Sequence, residues 1–129
     1  MRSLVHAARI SVALGAFALG FAGLTGTAAA VPATPFEVCS PLGCAVQSVR
    51  GTVENVGGQS RVVATVSDSS PAATLTAQFV LAGPPSVAHR VVADNETKRV
   101  VFTSPTVATR LTVTACASTA GCNTKTIPL

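Results

Sequence analysis

Four cysteines are the residues of this sequence best able to do chemistry, and they come in two close pairs. Cys39 and Cys44 have four residues between them, and Cys116 and Cys122 have five. Cysteine pairs either bind zinc as thiolates or join as disulfides, and four-thiolate zinc sites favour about two to four residues between paired ligands. The second pair is wider than that. The spacing therefore predicts two structural disulfides, with metal binding or redox chemistry as the weaker alternative.

The predicted pairing of these cysteines follows from loop length. Four cysteines allow three connectivities, and short loops close at the lowest cost in chain entropy. Both bracketed segments also contain turn-forming residues, with Pro41 and Gly43 in the first and Gly121 in the second. We therefore predict a local bond within each pair. Bonds from one pair to the other, which would link the two ends of the domain, stay open as the alternative.

Few other residues form a pattern that indicates catalysis. His89 is the one histidine after residue 30, and its position in the apolar run 87–91 is typical of a packed or rim residue. The sequence has no G-x-S-x-G, H-E-x-x-H or calcium-loop motif. The contexts of Asp68 and Asp94 indicate no buried role, and the glutamates lie in contexts typical of solvated charges. We predict no catalytic residue, no cofactor and no metal ligand.

Aromatic residues are scarce, which bears on the ligands that the chain can bind. The sequence has no Trp and no Tyr, and only Phe36, Phe79 and Phe102 follow residue 30. Proteins that bind single-stranded nucleic acids stack bases on aromatic side chains next to basic ones, and sugar-binding sandwiches commonly use Trp or Tyr platforms. The arginines here are scattered singly along the chain. We therefore predict neither nucleic-acid nor sugar binding.

The first thirty residues have the layout of a secretory signal peptide. Arg2 and Arg9 precede a charge-free apolar run over 10–24, and the small residues at 27–30 form an A-x-A-like site. Arg2 and Arg9 are not adjacent, so the pattern favours Sec-type export with cleavage near Ala30-Val31. We expect a secreted, extracellular protein with no membrane attachment after cleavage. An uncleaved anchor helix is the alternative.

Removal of this leader changes the composition. The chain of 129 residues with net charge +4 becomes 99 residues, 31–129, with seven basic and five acidic side chains and a net charge of +2. A single domain of this size is near the small end of what buries a sufficient core unaided. Disulfides would stabilise it, and the oxidising compartment reached by export is where they form. The Ala, Val, Thr and Arg bias is typical of a GC-rich bacterium.

The elements that position these residues are predicted to be short strands. In 73–81, Ala, Leu and Phe alternate with Thr, Gln and Val, which is the period of a half-buried strand. The same period recurs at 48–54, 61–67, 87–93, 98–103, 110–115 and 123–127. Gly57-Gly58 is predicted as a turn, and 94–97 as the turn of a hairpin. No segment after residue 30 has a helical apolar stripe.

About seven short strands with regular turns are typical of an all-β sandwich of the immunoglobulin-like or fibronectin-III-like kind, with two local disulfides. A small β-barrel is the second choice. The predicted organisation is a signal peptide over 1–30, an N-terminal extension over 31–38 and a single β-sandwich domain over 39–129.

The functional expectation is a small secreted non-enzymatic monomer that binds an unknown protein or surface partner through its loops. The candidate binding residues are those bracketed by cysteines: Ser40, Pro41, Leu42 and Gly43 in one loop, and Ser118, Thr119 and Ala120 in the other. Three alternatives stay open. They are a protease inhibitor that presents Leu42, a small hydrolase built around His89, and an envelope or matrix protein with a purely structural role.

Overall fold

The computed structural model describes residues 32–129. The predicted signal peptide and its cleavage site at Ala30-Val31 lie outside the described residues. Within 32–129 the chain forms β-strands, turns and irregular segments, with no helix. None of the described residues therefore belongs to a helix long and apolar enough to span a membrane.

Eight strands follow one another along the described chain. They are β1 (Thr34–Cys39), β2 (Gln47–Val56), β3 (Gln59–Asp68), β4 (Leu75–Ala82), β5 (Val87–Ala93), β6 (Thr97–Thr103), β7 (Arg110–Ala117) and β8 (Gly121–Pro128). They form two four-stranded sheets, sheet 1 in the order β1-β2-β3-β6 and sheet 2 in the order β5-β4-β7-β8. Every pairing is antiparallel. The predicted all-β architecture is confirmed.

Both sheets contribute to one hydrophobic core, which makes the arrangement sandwich-like. Strand β4 has the predicted alternation, because Leu75, Ala77, Phe79 and Leu81 are fully buried while the residues between them are half-buried or exposed. The other fully buried large side chains of the core come from β2, β3 and β7: Val49, Val53, Val62, Val66, Leu111 and Val113. Local period-2 patterning was thus sufficient to identify the inner face of each central strand.

Two predicted connections are present in the structure. Gly57 and Gly58 join β2 to β3 with φ of 59° and 79°, and a two-residue hairpin turn with both φ positive is the type that favours glycine. Strands β7 and β8 form the closing hairpin, with Leu111 opposite Ile127. Both connections are local, so the residues that determine them lie within the connected segments.

The predicted hairpin at 94–97 is wrong. Strand β5 pairs with β4 in sheet 2, whereas β6 pairs with β3 in sheet 1. The short turn therefore passes from one sheet to the other, with Asn95 at φ 53°. The alternation of apolar and polar residues within each strand is the same whether the turn closes a hairpin or passes between sheets. The sequence pattern therefore did not distinguish the two connections.

Strand β1 lies where the sequence predicts only an N-terminal extension. It pairs with β2 along its whole length, and its Phe36 and Val38 side chains are buried in the core. The segment contains only these two alternating apolar residues and Pro35, which is too short a pattern to indicate a strand. Proline is compatible with β1 because β1 is an edge strand, where a missing N–H on the outer side removes no ladder hydrogen bond.

Candidate functional site

The antiparallel topology brings four connections to one end of the molecule, which we call the disulfide end. They are the β1–β2 loop (40–46), the β3–β4 loop (69–74), the β5–β6 turn (94–96) and the β7–β8 turn (118–120). The two cysteine pairs, which lie near opposite ends of the described sequence, flank the first and the last of these connections. Both candidate binding loops therefore lie at the same end.

Both disulfides are local, as predicted. Cys39 is bonded to Cys44, and Cys116 is bonded to Cys122, so the alternative of long-range pairing is wrong. The second bond joins residues directly opposite each other in β7 and β8. Within 32–129, the one group of potential metal ligands close together is Cys39, Cys44 and Glu37. Its two sulfur atoms are bonded to each other, so they are not thiolate ligands.

Asp68 joins two of the four connections at the disulfide end to the first residue of β2. Its Oδ1 accepts hydrogen bonds from Gln47 Nε2 at 3.1 Å and from the Ser70 amide at 2.9 Å. Its Oδ2 accepts one from the Asn95 amide at 3.0 Å. The side chain is 3% exposed. The expectation that Asp68 has no buried role is therefore wrong.

The titration of Asp68 is shifted by these contacts. Burial alone would raise the pKa of the Asp68 carboxyl, but the N–H donors of Asn95, Ser70 and Gln47 outweigh burial and hold that pKa below its ordinary value. The carboxylate is therefore the stable form in the folded protein. The segment Asp-Ser-Ser-Pro is a typical exposed turn in sequence, and only the fold places the β5–β6 turn over it.

Further hydrogen bonds connect the remaining segments of this end. Asn123 Nδ2 donates to the carbonyl of Cys39 at 2.9 Å, which links β8 of sheet 2 to β1 of sheet 1. The Ser118 hydroxyl accepts from the Thr74 amide at 2.9 Å, and the Ser118 amide donates to the Thr74 carbonyl at 3.0 Å. The Ser69 amide donates to the Val46 carbonyl at 2.9 Å. All four connections are thus tied to one another.

The residues predicted in the first cysteine-bracketed loop differ in accessibility. Ser40 is 2% exposed, and its hydroxyl accepts from the Leu42 amide while its carbonyl accepts from the Gly43 amide. Ser40 therefore forms the turn and does not present a side chain to a partner, contrary to the expectation. Pro41 is exposed, and Leu42 and Gly43 are half-buried. Gly43 has a φ of 102°, which a glycine adopts without strain.

The shape of this loop bears on the inhibitor hypothesis. The Gly43 carbonyl accepts from both the Val46 and the Gln47 amides, at 3.1 and 2.9 Å, so the loop folds as consecutive tight turns. A segment that presents one side chain to a protease pocket is extended and exposed. Because Leu42 lies half-buried within turns, no observation favours the inhibitor alternative.

The second bracketed loop is fully accessible. Ser118, Thr119 and Ala120 are all exposed in the tight turn between β7 and β8. Pro71 and Ala72 of the β3–β4 loop are also exposed at this end, although no cysteine marks them in the sequence. The accessible surface here is made mainly of small uncharged residues. Only the fold could show that these separate segments share one surface.

The β5–β6 turn carries two exposed carboxylates at the disulfide end. Asp94 and Glu96 are exposed, and Glu96 lies 3.5 Å from the Lys98 ammonium. In the described part of the chain, no ion pair involves Asp94. One exposed carboxylate of this turn is therefore paired with a basic side chain, and the other is not. Comparisons with protein-family models, curated proteins and solved structures found no match for this chain.

His89 lies away from the disulfide end, on edge strand β5. Its exposed ring stacks on Phe102 of β6, with ring centroids 4.9 Å apart and an interplanar angle of 19°. Phe102 in turn packs edge-on against the buried Phe79 at 5.6 Å. Among residues 32–129, no hydrogen bond joins His89 to a serine, a cysteine or a carboxylate. His89 thus covers the core where the edges of the two sheets meet.

Replacement of His89 by Ala is expected to lower the free energy of unfolding by about 1 kcal/mol, because a stacked aromatic pair contributes about 0.5–1.5 kcal/mol beyond its buried area. Urea unfolding monitored by circular dichroism measures the change. Arg90→Ala, at the next position, which is also exposed, is the matched control and is expected to be near neutral. Equal stability of His89→Ala and the wild type would contradict a packing role.

Proposed function

We propose that this chain is a small secreted, non-enzymatic sandwich of the immunoglobulin-like class that binds a protein or surface partner through its disulfide end. The observation that carries the proposal is the convergence of four connections, two of them closed by disulfides, at one end. Asp68 and Asn123 hold these connections together with hydrogen bonds across strands and sheets.

The strand order supports the immunoglobulin-like class. Strand β3 pairs with β6, and β4 pairs with β7, so the chain changes sheet between the members of each pair. This matches the B–E and C–F pairings of immunoglobulin domains, and β5 and β8 then correspond to the strands beside C and F. The chain differs from antibody domains in having no Trp and in having both disulfides local.

Secretion is supported by two independent features of the chain. Residues 1–30 have the charge and hydropathy layout of a Sec-type leader. The domain that follows contains two disulfides and no free cysteine among its described residues. Structural disulfides form and persist in oxidising compartments. The composition further favours a bacterial source.

Binding through the disulfide end is supported by the preorganisation of its connections. Ordering loops on association costs about 0.5–1.5 kcal/mol for each immobilised side chain with many rotamers. Outside the β5–β6 turn, the exposed residues of these connections are mainly prolines, alanines, serines and threonines, which lose little rotamer freedom. The backbone that carries them is held by disulfides and by the Asp68 carboxylate. A partner that meets this surface therefore encounters connections that are already ordered.

The proposal is tested with two matched arginine variants of the full chain, recovered after export with both disulfides formed. Thr119→Arg introduces a large charged side chain at the exposed disulfide end. Val107→Arg does the same in the β6–β7 loop at the opposite end, where Val107 is 45% exposed. Each variant is immobilised and exposed to secreted and cell-surface fractions of the source, and the retained proteins are quantified by mass spectrometry.

We expect a partner retained by the wild type to bind about tenfold or more weakly to Thr119→Arg, since bulk placed in the centre of an interface disrupts its packing. Val107→Arg is expected to retain that partner at the wild-type level. Equal binding by both variants would place the partner elsewhere on the molecule. The absence of any selectively retained component would favour the purely structural role.

A further inference from the structure

The outer edge of strand β8 pairs with no other strand within residues 32–129, although the Asn123 side chain donates to the Cys39 carbonyl of β1. β8 is the last strand of sheet 2 and pairs only with β7. Every residue of β8 except Ile127 is exposed. An edge of this kind presents a row of backbone N–H and C=O groups that another strand can pair with.

The hydrogen-bond pattern identifies which residues present these groups. The Leu129 amide donates to the Thr109 carbonyl at 3.0 Å, so this pair is hydrogen-bonded, and pairs alternate along an antiparallel ladder. Cys122, Thr124 and Thr126 therefore occupy non-hydrogen-bonded positions opposite β7. The separation of 3.9 Å between the Cα atoms of Cys116 and Cys122 agrees with this, because such pairs are the closer kind. The N–H and C=O groups of these three residues point away from β7.

The other three edges are less suited to pairing with a second copy of themselves. Strand β1 contains Pro35, which has no N–H, and its Cys39 carbonyl already accepts from Asn123. Strand β6 carries Lys98 and Arg99 side by side, so two copies would gather four positive charges. In β5, the alternation of the antiparallel ladder directs the backbone N–H and C=O groups of the even-numbered residues, centred on Arg90, away from β4. A symmetric pair there would set arginine opposite arginine.

We propose that two copies of this chain associate by antiparallel pairing of their β8 strands, with Thr124 opposite Thr124 across a two-fold axis. Cys122 then lies opposite Thr126, and all three outward residues of each copy form hydrogen-bonded pairs, about six backbone hydrogen bonds in total. The charged residue of β8, Lys125, falls opposite the neutral Asn123. Sheet 2 of one copy and sheet 2 of the other then form one continuous eight-stranded sheet.

The neighbouring registers are less favourable. A shift by one pair towards the C-terminus places Lys125 opposite Lys125, where like charges repel, and brings in Pro128, which has no N–H. A shift the other way moves the pairing into the turn at Ala120. The register centred on Thr124 is thus the one that pairs Cys122, Thr124 and Thr126 without opposing like charges.

Side chains on the outer face extend across the same interface. The Thr114 and Thr124 hydroxyls lie 3.1 Å apart on neighbouring strands, and in the proposed pair this row continues through the Thr124 and Thr114 of the second copy. Threonine pairs across strands are favourable. The interface consists of one strand from each copy, so we expect it to be smaller than about 1,200 Å², which is typical of weak and reversible association. The chain is then monomeric when dilute and dimeric when concentrated.

Sedimentation equilibrium of the exported full chain over a concentration series tests the proposal. We expect the mass to rise towards twice the monomer value at high concentration. Asn123→Lys places a lysine opposite Lys125 of the second copy and is expected to weaken dimerisation about two- to thirtyfold, because like charges then lie directly opposite in two symmetric pairs. Adding Lys125→Glu to that variant sets opposite charges in the same positions and is expected to restore association.

The double variant separates the proposed register from a general effect of altering Asn123, because both variants lose the hydrogen bond to the Cys39 carbonyl. Thr124→Pro, which removes an outward N–H, is expected to weaken dimerisation, whereas Arg90→Pro at the matching position of edge β5 leaves it unchanged. A chain still monomeric at about 1 mM, the weak end of specific affinities, overturns the proposal. Failure of Lys125→Glu to rescue Asn123→Lys overturns it as well.

Discussion

Replacement of Asp68 by Asn is expected to lower the free energy of unfolding by about 2–4 kcal/mol, because it removes a buried charged acceptor and leaves the partly buried Asn95 amide without a partner. The amide keeps the shape of the side chain, so no cavity forms. It can accept from Gln47 and Ser70 through its oxygen, but its NH₂ group then faces the Asn95 amide, and two donors meet. For a domain of this size, we expect the Tm to fall by about 8 °C or more.

The matched control is Asp94→Asn, which changes an exposed carboxylate at the same end of the molecule. A surface substitution of this kind is expected to change stability by less than about 0.5 kcal/mol. Chemical denaturation of both variants at neutral pH measures the difference. Similar small losses in the two variants would show that Asp68 does not organise the disulfide end.

The stability difference between the wild type and Asp68→Asn is expected to depend on pH. The pKa of Asp68 in the folded protein is below its ordinary value, so its stabilising contribution is present above the unfolded pKa of about 3.9. As the pH falls below that value, the Asp68 carboxyl takes up its proton in the unfolded chain before it does so in the folded protein. The stabilising contribution is therefore lost as the pH falls through the lowered pKa of the folded state. The stability difference between wild type and Asp68→Asn is therefore expected to be constant near neutral pH. It shrinks in acid below about pH 4.

Replacement of Gly51 by Ala is expected to cost about 3 kcal/mol or more, or to prevent folding. Gly51 lies in the middle of β2, directly opposite Ala64 of β3. A Cβ at this position would overlap the Val63 carbonyl oxygen, and it would lie 2.7 Å from the Ala64 Cα atom. These are backbone atoms of a central strand, so no side-chain rotation relieves the overlap and the two strands must separate locally.

Gly83→Ala is the matched glycine control. A Cβ at Gly83 would have its nearest contact at 3.5 Å, which is ordinary van der Waals contact. This substitution is expected to be neutral or to stabilise by up to about 1 kcal/mol, because Ala restricts the unfolded chain. Thermal unfolding of the two variants measures the contrast. Comparable stabilities would contradict the close approach of β2 and β3 at Gly51.

Gly51 also illustrates the limit of sequence patterning. In sequence it occupies the position of an inward residue between Val49 and Val53, where any small apolar residue would preserve the alternation. The reason for glycine is the approach of the neighbouring strand, and β3 is a separate segment whose distance no pattern in β2 encodes. Ser40 shows the same limit. A serine beside a cysteine suggests an exposed loop, whereas the fold buries it within the turn that it forms.

The sequence by itself determined the strands of alternating apolar residues, the Gly57-Gly58 turn, the β7–β8 hairpin and the pairing of the cysteines. Each depends on residues a few positions apart, where chain entropy and backbone geometry are local. Tertiary structure alone decided that β5 and β6 lie in different sheets, that β1 completes sheet 1, and that Asp68 is buried beneath the β5–β6 turn. It also decided that both disulfides lie at one end. These features depend on which strands pair, and the paired strands are distant in sequence. Short alternating strands have similar local preferences for many partners. Burial of the whole core therefore decides which of them pair.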